Sequence, residues 1–397
     1  MKIIEISYDE LAHFLANKSG FSFLQTAQMA KVLVARGFQE KRLALENAGV
    51  IKAVGLAYSQ KVFAGKRMEL MAGTFAAEEQ YESLFYQHLK LYAKRMKITE
   101  VIIQPNHKDH LYNSEATTIK DLEAIPSYFD ELGYTREKSN VYNMQGMPTF
   151  QYLKDLSAFT SEDEKLLLKS FNKNSQRKIK KAKQFGLSIR TMDYEEMEDF
   201  CRITRETAQR QDFGDKSLDY YQAMYKNFKD QVEFLVAEIN LPKAIEKLKR
   251  QINELNPKKV QDQDRIKSLE KDIEMVQAIQ DEEKKEIIPL ANMLIVYLDQ
   301  EATYFLGGSL ESYQNFSAPF LLQYEAMMRT IKKGIPYYNF YGIEGEFDGS
   351  DGVMRFKQNF NGFILEKTGV FFYRPFPLYY KLTHSLKRIV FGLIPKK

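Results

Sequence analysis

Apolar positions along this chain recur with two periods. Val232-Glu-Phe-Leu-Val-Ala-Glu-Ile239 and Leu290-Ala-Asn-Met-Leu-Ile-Val-Tyr-Leu298 are apolar runs of strand length. Between them the spacing changes. Leu241, Ile245, Leu248, Ile252 and Leu255 follow each other at steps of 4 and 3, as do Ile266, Leu269, Ile273 and Val276. These are heptad seams, and the intervening residues are mostly charged or Gln. Asn256-Pro257 interrupts the pattern, because proline lacks an N–H and restricts the residue before it. The pattern predicts an antiparallel helical hairpin over 241–288, inserted where a β-hairpin turn would otherwise stand. Helices this short are marginal alone in water, so the two must pair. Such an arm projects from a globular body. It serves either to reach a large partner or as a spacer or dimerisation device.

The remaining pattern repeats one order of elements. In the first half, 51–58 and 67–71 read as strands, about 76–96 as a helix and 100–105 as a strand. In the second, 232–239, 290–298 and 302–307 read as strands, about 317–333 as a helix and 337–341 as a strand. Helices precede each half. The expectation is an α/β (α+β) chain of two tandem mixed-sheet modules, with the arm only in the second. The boundary falls near 146–150, where Asn143-Met-Gln-Gly-Met-Pro148 closes the first half. A long charged helix over 161–184 follows, and Ser161-Glu-Asp-Glu164 has the spacing of a capping box.

The 397 residues, 44% apolar, allow two or three domains with their own cores. One cysteine, Cys201, excludes an intramolecular disulfide and suits a reducing compartment. The amino terminus lacks a signal-peptide core, and no apolar run approaches the ~20 residues that span a bilayer. A cytoplasmic or peripheral protein is expected. The net charge is only +4, but from Thr368 onward six basic and no acidic residues are interleaved with Phe371, Phe372, Phe376, Leu378, Tyr379, Tyr380, Ile389, Phe391 and Ile394. Such a segment suits an anionic membrane surface; equally, it reads as a final strand and helix packed on the body.

Familiar catalytic signatures are missing: no dinucleotide or P-loop glycine motif, no nucleophile elbow, no zinc-protease helix. His107 and His110 lack a third metal ligand and read as a loop pair; no metal is expected. Three features remain. The basic helix around Arg177, Lys178, Lys180 and Lys181, ending at Gly186, suits a phosphate-rich partner or is a solvated face. Lys216 and Tyr220, four apart, share a helix face and could hold a diphosphate. Gly349-Ser-Asp-Gly leads into Arg355-Phe356-Lys357-Gln-Asn-Phe360, where the aromatics could pin the segment while Lys357 faces a cleft and stabilises an oxyanion.

With these motifs the chain resembles the Fem family of tRNA-dependent aminoacyltransferases that build peptidoglycan interpeptide bridges, its streptococcal MurM/MurN type above all. The likeness rests on Phe23-Leu-Gln-Thr26, the Asn-x-x-Arg-x-x-Ile-x-Lys-Ala helix at 174–182, Glu206-Thr-Ala-x-Arg210, Gly307-Gly308 and Arg355-Phe-Lys-x-x-Phe360, in that order along essentially the whole chain. The resemblance implies tandem GNAT-like modules: 1–150 as the first, completed by 369–397, 151–368 as the second, and a coiled-coil arm at 241–288. It implies transfer of an amino acid, Ala or Ser above all, from aminoacyl-tRNA to the stem-peptide lysine amine of a precursor, lipid II in the streptococcal type. Aminoacyl-tRNA is the co-substrate and no cofactor is needed. By the same resemblance Lys31, Lys216, Tyr220, Tyr313, Arg355 and Gln104 bind the precursor, Lys357 with Phe356 is catalytic, and Arg177, Lys178, Lys180 and Lys181 contact tRNA. Where some family members have an acid before a strand-ending proline, this chain has Gln104. The competing functions are an acetyl-CoA-dependent N-acetyltransferase, for which no pyrophosphate loop is evident, and a non-enzymatic RNA- or membrane-binding adaptor.

Overall fold

A computed structural model describes residues 1–63, 65–122, 126–137, 147–211 and 214–392, with side chains omitted for 384 and 387–392. The expected closing segment 143–146 lies outside the described residues, as do Ile394, Lys396 and Lys397.

Two mixed sheets carry the molecule. The first runs in the order Lys2–Glu5, Gln39–Asn47, Val50–Val62, Gly65–Met71, Glu100–Gln104, Val370–Tyr373, Thr135–Glu137. The second runs Ser188–Thr191, Val232–Asn240, Ile287–Tyr297, Glu301–Ser309, Tyr337–Ile343, Phe150–Asp155, Phe363–Lys367, Lys108–Tyr112, Thr118–Asp121. In each, an antiparallel meander ends in a strand that crosses over through a helix to a parallel neighbour. The crossovers are Gln80–Arg95 and Ala318–Lys332, and the parallel pairs are Gly65–Met71 with Glu100–Gln104 and Glu301–Ser309 with Tyr337–Ile343. The arm stands where the first half makes a tight hairpin. There Ala48 and Gly49, both at positive φ, join Gln39–Asn47 to Val50–Val62.

Three features depart from the sequence reading. Lys108–Tyr112 and Thr118–Asp121 pair within the second sheet, so a first module of 1–150 does not hold for 108–121. The expected helix over 161–184 is two helices, Glu164–Lys169 and Lys173–Phe185. Asn172 interrupts the pair by capping Ser175 N, and the expected capping box at 161–164 is absent, Asp163 receiving Thr160 instead. Finally, the arm does not stand clear of the body. Its helices, Leu241–Asn253 and Val260–Glu283, bury Leu241, Ile245, Leu248, Leu269 and Val276 in the same core as Ile179, Ala182 and Phe185. Lys247 Nζ and Gln251 Nε2 donate to the carbonyls of Lys183 and Gln184, and Gln184 donates to Asp272. The seam residues seal both the hairpin and the basic helix beside it.

Among the described residues no helix is long and apolar enough to cross a membrane. The last helix, Pro377–Gly392, leaves Leu378, Tyr379, Leu382 and Leu386 exposed, Leu378 at 80%.

Candidate active site

The two parallel pairs differ in one respect that creates the site. In the first sheet the pairing holds over five positions, from Arg67 opposite Glu100 to Met71 opposite Gln104. In the second it stops after Thr303 opposite Asn339. Beyond that point the strands separate, and both are bulged: Phe305 is the extra residue against Leu294–Ile295, and Phe340–Tyr341 together oppose Tyr152. The wedge opens into a cavity of about 990 Å³ lined by both halves of the chain. Tyr304 to Leu310 and Phe340 to Gly342 form its walls, with Leu24, Met29, Leu33 and Arg36 from the first half.

The motifs read from the sequence build these walls. Gln25 exchanges hydrogen bonds with the Leu56 backbone, and Thr26 caps Ala27–Ala35, the helix carrying Met29 and Leu33 to the cavity. Thr207 Oγ1 accepts from Ser309 N (2.8 Å), and Arg210 donates to Ser309 O (3.2 Å). That clamps the strand end on the helix Met197–Arg210. Gly307 and Gly308 answer to packing. A Cβ on Gly308 would lie 2.6 Å from Ile203 O, and one on Gly307 2.6 Å from Asn292 O.

Lys357 sits on the short helix Gly352–Gln358. Asp351 caps it, accepting from Val353 N and Met354 N at 2.8 Å and from Glu344 N at 2.9 Å. At the other end Asn359 Oδ1 receives the amides of Asn172 (3.1 Å) and Asn174 (2.9 Å). Lys154 Nζ, pushed down to about 8 by burial, donates to Phe360 O and Asn361 O just beyond. So held, Lys357 is 4% exposed, lines the cavity and donates to Gly342 O. Burial pushes its pKa down to about 7, opposed by the charge of Asp351. Phe356 lines the cavity next to it, its ring 5.1 Å from that of Phe320.

At the first-half end two cations converge on one ring. Arg36 lies 5.2 Å and Lys216 Nζ 5.9 Å from the Tyr220 centroid. Burial lowers the Lys216 pKa, and the Arg36 charge lowers it further. Lys216 precedes the helix Leu218–Phe228 rather than sharing its face, yet it meets Tyr220 as expected. Tyr313 also lines the cavity, with its hydroxyl on Glu283 at the foot of the arm.

Other candidates fall elsewhere. Lys31 is exposed, 5.4 Å from the Tyr8 ring, on the side of its helix away from the cavity. Arg36, at the C-terminal cap of the same helix, lines the cavity instead. Gln104 is buried and accepts from Met147 N at 2.8 Å; it joins backbone segments and does not line the cavity. Arg355 is exposed and outside the lining. Of the basic helix only Lys178 reaches the cavity; Arg177 and Lys180 are exposed, and Lys181 lies 5.6 Å from the Phe185 ring. Among the described residues no cluster of metal-binding side chains occurs.

Two tandem mixed-sheet modules of GNAT-like fold, with a deep wedge floored by a buried lysine, define the architecture. The model of the FemAB family matches residues 6–388, and the chain belongs to that family. It is an aminoacyltransferase. It is similar to the aminoacyltransferase FemA of Staphylococcus epidermidis RP62A, at 23% identity over 98% of this chain and 100% of that protein. It is also similar to FemA of Staphylococcus aureus RF122 (24%, 94% of each chain). Among solved structures FemX superposes with a TM-score of 0.75 at 19% identity, covering 96% of this chain and all of the other. A tandem GNAT protein from the clavulanic acid biosynthesis pathway superposes with a TM-score of 0.50 at 7% identity over 94% and 98% of the two chains.

Proposed function

We propose that this enzyme transfers an amino acid, Ala or Ser, from aminoacyl-tRNA to the stem-peptide lysine amine of a peptidoglycan precursor, lipid II above all, in interpeptide-bridge formation. The observation that carries the reading is one cavity, shared by both halves, with two cations beside the Tyr220 ring at one end and a buried lysine on its floor. Arg36, Lys216 and Tyr220 suit the diphosphate of a precursor. The stem peptide then extends along the wedge toward Lys357. Transfer forms a C–N bond between the acceptor amine and the aminoacyl carbonyl. It breaks the ester C–O bond to the terminal ribose, whose oxygen takes the proton released by the amine. The donor ester is already activated, so the reaction needs no cofactor. The Lys357 ammonium offsets the charge that develops on the carbonyl oxygen, and the walls exclude water and align the reactants.

The tRNA body would contact the basic helix at Arg177, Lys178, Lys180 and Lys181, and the arm that packs on it. The exposed apolar face of Pro377–Gly392, in a segment rich in basic residues, supports a peripheral position on the inner, anionic face of the membrane, where a lipid-linked acceptor resides.

The test is single-turnover transfer from Ala-tRNA or Ser-tRNA to a lipid II analogue. Lys357→Met should lower turnover by about 10²–10³-fold. Undiminished turnover would remove Lys357 from the chemistry, and no transfer from charged tRNA by the unaltered protein would sink the reading.

A further inference from the structure

The carbonyl that receives Lys357 belongs to Gly342, the residue following an unusual backbone position in the wedge. Tyr341 lies inside a strand at φ +65. For a bulky L-residue this left-handed conformation is strained, and such strain persists only where neighbours enforce it. Here the enforcing group is Asn339. Its Oδ1 accepts from Tyr341 N at 2.7 Å, the two-residue loop by which asparagine stabilises a turn. Asn339 is itself fixed, 1% exposed, with Nδ2 donating to Gln151 Oε1 (2.9 Å) and Glu301 Oε1 (3.0 Å). It occupies the last paired position of the parallel strands, so one side chain ends the pairing and turns the strand toward the cavity floor.

We propose that Asn339 is a positioning residue for Lys357: by holding Tyr341 in the left-handed conformation it orients the Gly342 carbonyl that aims the Lys357 ammonium into the cavity. Asn339 does not line the cavity and touches no substrate. The inference rests on the oxyanion role given to Lys357, but its structural part is testable without transfer.

The test uses the full-length protein. Asn339→Ala removes the acceptor, whereas Asn339→Ser keeps an oxygen able to reach the N–H two residues on. Tyr341→Gly makes the left-handed conformation inexpensive without help from residue 339. Two quantities are read: kcat and KM for transfer, and the pH midpoint of Lys357 acylation by acetic anhydride, resolved by peptide mass spectrometry. Asn339→Ala should lower kcat by about 10–100-fold with KM for either substrate nearly unchanged, and should shift the Lys357 midpoint. Asn339→Ser should recover part of both. In the Tyr341→Gly background, Asn339→Ala should cost less than about threefold, because the two changes act through one conformation. Equal losses in the two backgrounds, or an unmoved midpoint in Asn339→Ala, would overturn the proposal. If Asn339→Ala does not fold, Asn339→Ser against Tyr341→Gly decides alone: additive effects refute it. Should Lys357→Met prove fully active while Asn339→Ala still shifts the midpoint, the catalytic reading fails and the positioning survives.

Discussion

At the scale of single residues the proposed chemistry turns on a lysine kept at the edge of its charged range. Burial brings the Lys357 pKa to about 7. If the ammonium is the reacting form, transfer should decline along an alkaline limb centred near pH 7, read as kcat/KM from about pH 5 to 9. Lys357→Arg, charged throughout that range, should lose the limb while running at a lower maximum; a limb that stays in place assigns it to another group. The same burial has a consequence for stability. The folded value lies below the ordinary 10.5, so between about 7 and 10.5 the unfolded chain binds more protons, and this group's contribution to stability rises with pH. Its penalty is therefore fullest below pH 7. Replacing Lys357 by Met should raise Tm by roughly 2–4 °C at pH 6 and by much less near pH 10. An equal gain at both would show that packing, not charge, is responsible. That Lys357, Lys216, Tyr220 and Tyr313 would meet at one cavity was legible in the sequence, because residue type and the resemblance agreed; the roles given to them remain proposals. Arg36 was not legible, because which side of the Ala27–Ala35 helix meets the cavity is decided by packing between the halves. Asn339 was still less so, since its work is done through a backbone conformation.

At the scale of elements, the arm shows what periodicity yields and what it hides. Heptad spacing located both helices and the break between them. It did not disclose that the seam also receives the Lys173–Phe185 helix, since the charges of that helix mask its Ile179, Ala182 and Phe185 face. The consequence is measurable. Leu269 is buried in the main core and Val260 is 73% exposed, though both belong to the same arm helix. Leu269→Ala should cost about 2–4 kcal/mol in denaturant unfolding, and Val260→Ala less than about 0.5 kcal/mol. A freely projecting arm would instead melt by itself and leave global stability untouched in both variants. The packing also matters for any role in binding tRNA. The foot of the arm meets the cavity-lining Tyr313 through Glu283, and Lys178 of the basic helix lines the same cavity.

At the scale of the whole molecule, the order of elements predicted two tandem modules, and both sheets follow it from meander to parallel crossover. The return of 369–397 to the first module was expected from the resemblance; the departure of 108–121 was hidden, because those strands are short and lie beyond the repeated pattern. The hairpin Lys108–Tyr112 with Thr118–Asp121 leaves the first half to extend the second sheet. The strand Val370–Tyr373 returns from the second half to sit between Glu100–Gln104 and Thr135–Glu137 in the first sheet. Neither sheet can be completed by a continuous half of the chain. Buried groups cross as well: Phe23 packs 5.0 Å from Phe305, and Met29, Leu33, Leu56 and Tyr58 share one core with Phe200, Tyr220, Phe234 and Leu294. Tandem modules joined only by a linker would unfold in separate steps. These should unfold together, in one calorimetric transition whose van't Hoff and calorimetric enthalpies agree. Leu56→Ala in the first half and Leu294→Ala in the second should each move that single transition downward, by about 2–5 kcal/mol in stability. Two resolved transitions, each sensitive to only one substitution, would show the halves to be independent. The cavity between them would then be a hinge rather than a fixed site.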